Sequence, residues 1–260
     1  MDLDLRDRVF LVTGGSAGLG LAGARALTAE GARVVIAARD TEQVEQAVAE
    51  FEPGSAIGLQ ADLAEPSVAA RLTEAAQAHF GRIDGSLVSV GGPPPGTALG
   101  VDDTSWTDAF QSVFLGPLRI ARAIAGALPA NAASPVGTTG SVLLVLSTSA
   151  FSPIPDLAIS NGLRPGLAML TKQLADELGP RGIRVNAIAP GRFATERVRS
   201  LDASRGDPHL VRQQFESAIP LGRYGEPDEF GALAAFILSP RASYLTGTVV
   251  TLDGGASRQP

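Results

Sequence analysis

Short apolar runs alternate with longer amphipathic stretches along this chain. The apolar runs are rich in Val, Ile and Leu and lie at 9–14, 33–39, 55–62, 84–90, 141–147, 182–190 and 247–255. The stretches between them repeat their apolar residues with the helical period, at 18–30, 41–51, 66–80, 103–128, 157–178 and 226–239. Strands this apolar, separated by helices, predict a parallel sheet covered by helices on both faces, which is the doubly wound (Rossmann) α/β class.

Two segments depart from this alternation. Residues 129–140 are rich in Pro, Gly, Ala and Thr and predict a surface loop before the fifth strand. Residues 192–220 are polar and carry no strand pattern. Because long loops in compact domains often carry function, we interpret 192–220 as a lid over a ligand site.

The helix predicted at 157–178 contains a proline, Pro165, followed by Gly166. An interior proline removes one backbone hydrogen bond and clashes with the carbonyl of the residue four positions earlier, here Asn161. We therefore expect this helix to kink at Pro165 or to begin late.

Composition restricts the classes of function. With 260 residues, 45% of them hydrophobic, the chain can bury one large core, and we expect a single domain over 1–260. The net charge of -6 opposes binding to nucleic acid or to anionic membranes. With no Cys and two His, we expect neither a disulfide nor a metal site. The acidic first residues and the lack of an apolar run of about 18 residues predict a soluble, cytoplasmic protein.

A glycine-rich loop, T-G-G-S-A-G-L-G at 13–20, follows the first strand and opens the first helix. Free backbone N–H groups at a helix start can bind a pyrophosphate, provided that no Cβ blocks its approach. This context, with a second strand about 20 residues on, predicts a dinucleotide site rather than a plain strand-to-helix turn. The candidate contacts are Thr13, Gly14, Ser16, Gly18, Leu19 and Gly20.

The adenosine end of the site is predicted from the next two strands. Where an acidic residue would accept hydrogen bonds from the ribose hydroxyls, this chain has Ala38 followed by Arg39. A guanidinium suits a 2′-phosphate, so we expect NADP(H) rather than NAD(H), the alternative being that Arg39 is a solvated surface charge. Asp62, after the third strand, is a candidate acceptor for the adenine amino group and is equally suited to a turn, and Leu63 is the adjoining candidate.

Several ordered motifs together resemble the classical short-chain dehydrogenase/reductase family, in particular bacterial 3-oxoacyl-acyl-carrier-protein reductases. These are the glycine loop, the A-D pair at 61–62, G-I-R-V-N-A-I-A-P-G-R-F-A-T at 182–195, and the long segment 222–255. The resemblance spans nearly the whole chain. It implies a seven-stranded parallel sheet, a nicotinamide cofactor across its carboxyl edge and a homotetramer or dimer, with the C-terminal segment at a subunit interface.

The resemblance also implies site residues at the nicotinamide end. Pro190, Gly191 and Thr195 would hold the nicotinamide carboxamide, and Ile188 would face the ring. In the family a serine positions the substrate carbonyl, and Ser147 matches it, thirteen residues before Ser160. The alternative for Ser147 is an ordinary hydroxyl at the end of a strand.

Three of the family's four polar positions are changed in this chain. An ungapped count places Ser160 where the family has its proton-donating tyrosine, Arg164 at its lysine and Val113 at its asparagine. An aliphatic hydroxyl is a poor acid, and arginine does not release its proton at physiological pH. The candidate catalytic residues are therefore Ser147, Ser160 and Arg164, with Arg164 also a candidate for binding ribose or an anionic group.

Other polar side chains are weaker candidates for the proton donor. Asp156 also suits a helix N-cap, His209 also suits a solvated loop, and Asn161 lies next to the changed position. The leading hypothesis is an atypical NADP(H)-dependent oxidoreductase that takes its proton from water or from its substrate. The alternatives are a non-catalytic NADP(H)-binding sensor or inactive partner subunit and, ranked last, a cofactor-independent activity like that of the halohydrin dehalogenases.

Overall fold

A parallel β-sheet runs through the centre of the protein. The computed structural model describes residues 2–129 and 139–258. The strands within these ranges are β1 Val9–Thr13, β2 Arg33–Ala38, β3 Ala56–Gln60, β4 Gly85–Val88, β5 Gly140–Val145, β6 Ile183–Pro190 and β7 Val249–Leu252. All neighbouring strands pair in parallel, in the order β3-β2-β1-β4-β5-β6-β7. The predicted seven-stranded doubly wound sheet is confirmed.

Helices cover both faces of this sheet. In the described residues they are α1 Gly18–Ala29, α2 Thr41–Val48, α3 Val68–Phe80, α4 Asp103–Ala109, α5 Gly116–Ala127, α6 Ala158–Leu178, α7 Glu196–Ala203, α8 Pro208–Ala218 and α9 Pro227–Leu238. A π-helical turn, Phe110–Leu115, joins α4 to α5. The stretch predicted as one helix at 103–128 is thus helical but changes its hydrogen-bonding register in the middle.

Two hydrophobic clusters form the core, one on each side of the sheet. The first joins the sheet to α3, α5 and α6, and the second joins it to α1, α2 and α9. Within β1, Leu11 belongs to the first cluster, whereas Phe10 and Val12 belong to the second. Successive side chains of a strand point to opposite faces, so a fully apolar strand must be buried on both sides.

The strand order places one crevice at the carboxyl edge of the sheet. The order reverses between β1 and β4, whose last paired residues are Thr13 and Val88. The connections leaving these two strands turn to opposite faces, which opens a gap where open α/β sheets bind their ligands. The glycine loop leaves β1 at this gap.

Helix α6 differs from its prediction. It runs without a break from Ala158 to Leu178 with Pro165 inside it, so the late start is wrong, while the alternative, a kink at Pro165, stays a prediction. Residues along the whole helix, from Ile159 to Ala175, are buried against the sheet. This packing outweighs one missing backbone hydrogen bond, since helices in proteins derive most of their stability from tertiary contacts.

The predictions for the two irregular segments, 129–140 and 192–220, compare differently with the structure. Most of the loop predicted at 129–140 lies at 130–138, outside the described residues. Segment 192–220 has no strand assigned within it, as predicted, but it consists mainly of α7 and α8 rather than an open loop. Across the described part of the chain, no helix combines the length and the apolar character needed to cross a bilayer.

The close contact at Gly20 gives a stability prediction. An alanine Cβ at Gly20 would lie 2.2 Å from the carbonyl oxygen of Gly14, a backbone atom. We expect Gly20→Ala to lower the free energy of unfolding by about 1–3 kcal/mol, measured by urea denaturation. The matched control is Gly126→Ala in α5, where nothing lies within 4 Å of the added Cβ, and it should be neutral or stabilising by up to about 1 kcal/mol. Equal losses in the two variants would contradict the steric argument.

Candidate active site

The glycine loop presents an open helix N-terminus to the crevice. In the part of the chain that the structure describes, no side chain caps α1 at its N-cap residue Ala17, and its first turn holds no acidic residue. Gly14 and Gly18 adopt φ values of +57° and +54°, which residues with a Cβ rarely adopt. Uncapped N–H groups next to glycines, which have no Cβ to block a ligand, fit a pyrophosphate, as the sequence predicts.

The end of β4 holds this loop in place. The Thr13 hydroxyl donates to the Ser89 carbonyl over 2.8 Å, and an added Cβ on Gly14 would lie 2.8 Å from the same oxygen. Glycine is therefore required at position 14 for close packing as well as for its φ angle. Ser16 and Leu19, the other predicted contacts, are half-buried.

The adenosine end contains an exposed guanidinium. Arg39 follows β2, and its side chain makes no ion pair or hydrogen bond with any described residue. One Asp62 oxygen accepts the Ala64 N–H over 2.9 Å, so the predicted turn role of Asp62 is confirmed and its second oxygen remains available. The Leu63 side chain belongs to the core, which leaves the backbone of Leu63 as its means of contacting a cofactor.

The nicotinamide end converges on the glycine loop from the other side of the crevice. Gly191 donates its N–H to the Leu252 carbonyl over 2.9 Å, next to Pro190 at the end of β6. The Thr195 methyl lies 3.6 Å from the position of an added Cβ on Gly18. The structure thus brings residues about 180 positions apart in the chain to one site.

Ile188 is a correction to the residues implied by the resemblance. Its relative exposure is 0%, and it packs in the core cluster that includes Phe193 and Val145. A side chain facing an open cleft would retain exposed surface in a ligand-free protein. Ile188 supports β6 from within the core and does not face a nicotinamide ring.

Three serines near the end of β5 are linked by hydrogen bonds. The Ser147 oxygen accepts the Ser149 N–H over 3.1 Å, and the Ser149 and Ser160 hydroxyl oxygens are 2.9 Å apart. Ser147 is half-buried, whereas Ser149 and Ser160 are 2% and 7% exposed. The structure brings together the two predicted serines through Ser149, which the motif comparison misses because the family's pattern assigns nothing to that position.

Arg164 lies one helical turn after Ser160 and is 4% exposed. Its Nη1 donates to the Val145 carbonyl over 2.6 Å, while its Nε has no hydrogen-bond partner in the part of the chain that the structure describes. Burial lowers the pKa of Arg164 to about 10. Below pH 10 the group is protonated in both the folded and the unfolded chain, so the fold carries the full cost of burying it, roughly 3 kcal/mol, at neutral pH.

An apolar cluster surrounds Val113, the position at which the resemblance implies an asparagine. Val113 is 1% exposed, lies in the π-helical turn and packs with Ala109 and Ile159. Trp106 packs against this cluster and approaches α6 at Gly162, where an added Cβ would lie 2.8 Å from the indole. Val113 therefore lies in apolar surroundings, whereas the asparagine implied by the resemblance would place a polar amide there.

The weaker proton-donor candidates are either occupied or exposed. Asn161 accepts the Ile154 N–H and donates to the Ile154 carbonyl, both over 2.9 Å, so its amide holds a loop in place. Asp156 is exposed with a φ of +61°, and the N-cap of α6 is Leu157, so the N-cap alternative for Asp156 is wrong. His209 is exposed near the start of α8, not in a loop.

The chain's two tyrosines do not supply the missing phenol. Tyr224 is 2% exposed and donates its hydroxyl to Asp202 over 2.9 Å. Burial and this hydrogen bond raise the pKa of Tyr224, which makes it a weaker acid. Tyr244 is fully exposed, with a relative exposure of 104%.

Segment 192–220 contacts the loops around the site. Arg197 of α7 donates to the Pro93 carbonyl over 2.8 Å, and Arg205 donates to the Pro155 carbonyl over 3.2 Å. The buried Asp202, also in α7, accepts from Arg192 and from Tyr224. These bonds tie the segment to the loops that follow β4 and β5, in the position expected of a lid.

Comparisons with known proteins agree with this geometry. The family model described as "Enoyl-(Acyl carrier protein) reductase" matches residues 14–257. An uncharacterized oxidoreductase of Mycobacterium tuberculosis is 35% identical over 253 residues, which cover 96% of this chain and 92% of that protein. The human dehydrogenase/reductase SDR family member 4 is 33% identical, covering 96% and 88% of the two chains.

A solved structure extends the likeness to the fold. The crystal structure of L-sorbose reductase from Gluconobacter frateurii, complexed with NADPH and L-sorbose, superposes with a TM-score of 0.89 and 26% identity over the full length of both chains. This chain therefore belongs to the short-chain dehydrogenase/reductase family of oxidoreductases.

Proposed function

We propose that this protein is an NADP(H)-dependent oxidoreductase that interconverts a carbonyl and an alcohol, with Ser160 and Arg164 in place of the family's tyrosine and lysine. The observation that carries the proposal is that several residues suited to contacting such a cofactor lie together at one crevice. An uncapped glycine loop, Thr195 and the exposed Arg39 surround the gap beside β1, and Ser147 stands at its substrate side. The residues present thus fit a nicotinamide dinucleotide, which would supply or accept the hydride when bound.

NADP(H) is the cofactor that the adenosine end favours. Arg39 is exposed and has no protein partner among the described residues, so its guanidinium is available to a 2′-phosphate. The neighbouring Asp40 carboxylate is the N-cap of α2 and accepts the Gln43 N–H. The sorbose reductase was crystallised as a complex with NADPH, which supports the same preference in a relative.

Ser147 would orient the substrate carbonyl. Because its oxygen already accepts the Ser149 N–H, the hydroxyl hydrogen is free to donate to a carbonyl oxygen. In the Ser149–Ser160 pair one hydroxyl donates to the other, so one of the two hydrogens is not used in this bond. A serine hydroxyl has no pKa near neutrality and, once it had given up its proton, would need to be reprotonated, so in our proposal the proton is drawn from solvent water or from the substrate.

A single-turnover experiment tests this function. Purified protein loaded with NADPH is mixed with a panel of carbonyl compounds, and the loss of the reduced nicotinamide absorbance is followed. We expect slow hydride transfer with at least one compound, reduced about 100-fold in Ser147→Ala because that variant loses a hydrogen bond to the developing oxyanion. Ser152→Ala, an exposed serine on the same loop, is the matched control and should retain the wild-type rate within about twofold.

The outcomes separate the competing functions. A rate unchanged in Ser147→Ala would contradict the role given to Ser147. Tight NADPH binding without transfer to any compound would favour a non-catalytic cofactor-binding protein or an inactive partner subunit. If neither NADPH nor NADH binds, both of these functions fail and a cofactor-independent activity is left.

The cofactor preference is tested at Arg39. Replacing Arg39 by Ala should weaken NADPH binding about tenfold or more and leave NADH binding within about twofold, because only NADPH carries the 2′-phosphate. Both dissociation constants are measured by fluorescence titration. Arg6→Ala is the control, since Arg6 is exposed and precedes β1, at the opposite edge of the sheet. Equal losses for the two nucleotides in Arg39→Ala would reject the preference.

Self-association is also part of the proposal. A groove of about 360 Å³ between α5 and α6 is lined largely by apolar side chains such as Leu118, Leu170 and Leu174. Next to it on α6, Met169 is 72% exposed. A second copy packing on this face would remove that surface from water. We expect a homotetramer or a dimer, and sedimentation equilibrium of the purified protein measures which; a monomer at all concentrations would reject this part.

A further inference from the structure

Arg164 is a buried cation without a counter-charge. It is 4% exposed, and none of the ion pairs among the described residues includes it. Its Nε lacks a hydrogen-bond partner in the same part of the chain, and the single protein acceptor of its guanidinium is the Val145 carbonyl. Burying a charge is unfavourable unless that charge is paired, so this arrangement requires an explanation.

Other buried charges in the protein are compensated. Asp84 is 5% exposed and pairs with Arg82, and Asp202 pairs with Arg192. Arg184 is the closest comparison, being 3% exposed and unpaired by carboxylates among the described residues. Its Nε, like that of Arg164, has no hydrogen-bond partner in the described residues. Its two terminal nitrogens, however, donate to carbonyls, one of them at Ser239 where α9 ends and the helix dipole is negative. Arg164 has neither a carboxylate nor such a helix end.

Helix α6 carries both polar and apolar side chains around Arg164. Ser160 precedes Arg164 by one helical turn, so both side chains lie on the same face of α6. On this face Ser160 is 7% exposed and Arg164 is 4% exposed, while Ser147, which follows β5, is half-buried. Ile159, next to Ser160 on the same helix, packs with Val113 in an apolar cluster.

We infer that Arg164 is the receptor for a carboxylate of the substrate, so that the substrate is an oxo acid or the corresponding hydroxy acid. The inference rests on the proposed function for the carbonyl, which Ser147 would hold, while Arg164 holds the acid. The planar guanidinium presents paired N–H donors that match the two oxygens of a carboxylate. A single cation beside an apolar cluster suits a ligand with one negative charge better than a phosphate with two negative charges.

The position of Arg164 separates this anion from those of the cofactor. Its guanidinium lies at the end of β5, whereas the glycine loop leaves β1, and β4 lies between them. Two strand spacings correspond to about 10 Å. Val145 and Ser147 are two residues apart in the chain, a span of about 7 Å when extended. A 2-oxo or 3-oxo acid, with its two groups close together, suits this spacing.

The test compares an acid with its uncharged ester. Binding of 2-oxobutyrate and of its methyl ester is measured by thermal shift and calorimetry, with and without NADP⁺, so that no turnover is needed. Wild-type protein should bind the acid at least about tenfold more tightly than the ester, the difference expected for a hydrogen bond to a charged group. Arg164→Met should abolish this preference, and Arg164→Lys should retain part of it.

A structural role for Arg164 predicts other results. If the residue serves only to satisfy the Val145 carbonyl, Arg164→Met lowers the melting temperature and leaves the ratio of acid to ester binding unchanged. Under our inference the melting temperature of ligand-free Arg164→Met is unchanged or raised, because an uncompensated buried charge is removed. Equal binding of acid and ester by the wild type overturns the inference without any variant. If Arg164→Met weakens NADPH binding as much as it weakens binding of the acid, the inference is also overturned, because Arg164 then belongs to the cofactor site.

The failure of the inference is distinguishable from failure of the proposed function. Nucleotide titration of the same wild-type preparation tests the cofactor site independently of any acid. The comparison of acid and ester without nucleotide tests Arg164 even if no nucleotide binds.

Discussion

The parallel pairing of β1 with β4 is the interaction on which the site depends. Parallel strands can be joined only by crossovers, so every loop that follows a strand reaches the same edge of the sheet. At the β1–β4 pair the crossovers diverge to opposite faces and leave a crevice. Thr13 strengthens this junction by donating its hydroxyl to the Ser89 carbonyl across the pair. The glycine loop, Arg39, Asp62, Ser147 and Thr195 surround the crevice because each follows the carboxyl end of a different strand.

Ser160 and Arg164 lie in a closely packed part of the protein. Replacing a phenol by a serine would leave a cavity if nothing else changed, but Ser160 is 7% exposed and hydrogen-bonded to Ser149. Val113, at the position of the family's asparagine, is 1% exposed and packs in an apolar cluster. The buried Arg164 is the exception, since its charge is retained without a protein partner in the described residues. A site that is well packed except for one uncompensated cation is organised around an anionic ligand, which is the basis of our inference.

Segment 192–220, which the sequence predicts to be a lid, is held by a network of charged side chains. Asp202 is buried and accepts from both Arg192 and Tyr224, and the Arg192 guanidinium also lies 3.2 Å from the centre of the Phe215 ring. These contacts connect α7 and α8 to the end of β6. Arg197 and Arg205 then reach the loops beside the substrate side. If segment 192–220 acts as the predicted lid, its movement would couple the entrance of the site to the end of β6, next to Pro190 and Gly191.

The sequence by itself determined the order of the elements, because a strand buried on both faces must be apolar throughout and a covering helix must repeat its apolar residues every three to four positions. It also determined the glycine loop, since Gly14 and Gly18 require φ values that other residues rarely adopt, and the replacement of the tyrosine, since the chain has no third tyrosine to shift into place. Tertiary structure decided what depends on contacts between distant residues. Packing against the sheet carries α6 through Pro165, Ile188 is enclosed by the core, and Asn161 is occupied by Ile154. The Ser149–Ser160 bond and the lone charge of Arg164 belong to the same group, because burial and hydrogen-bond partners are properties of the folded chain and no local spacing encodes them.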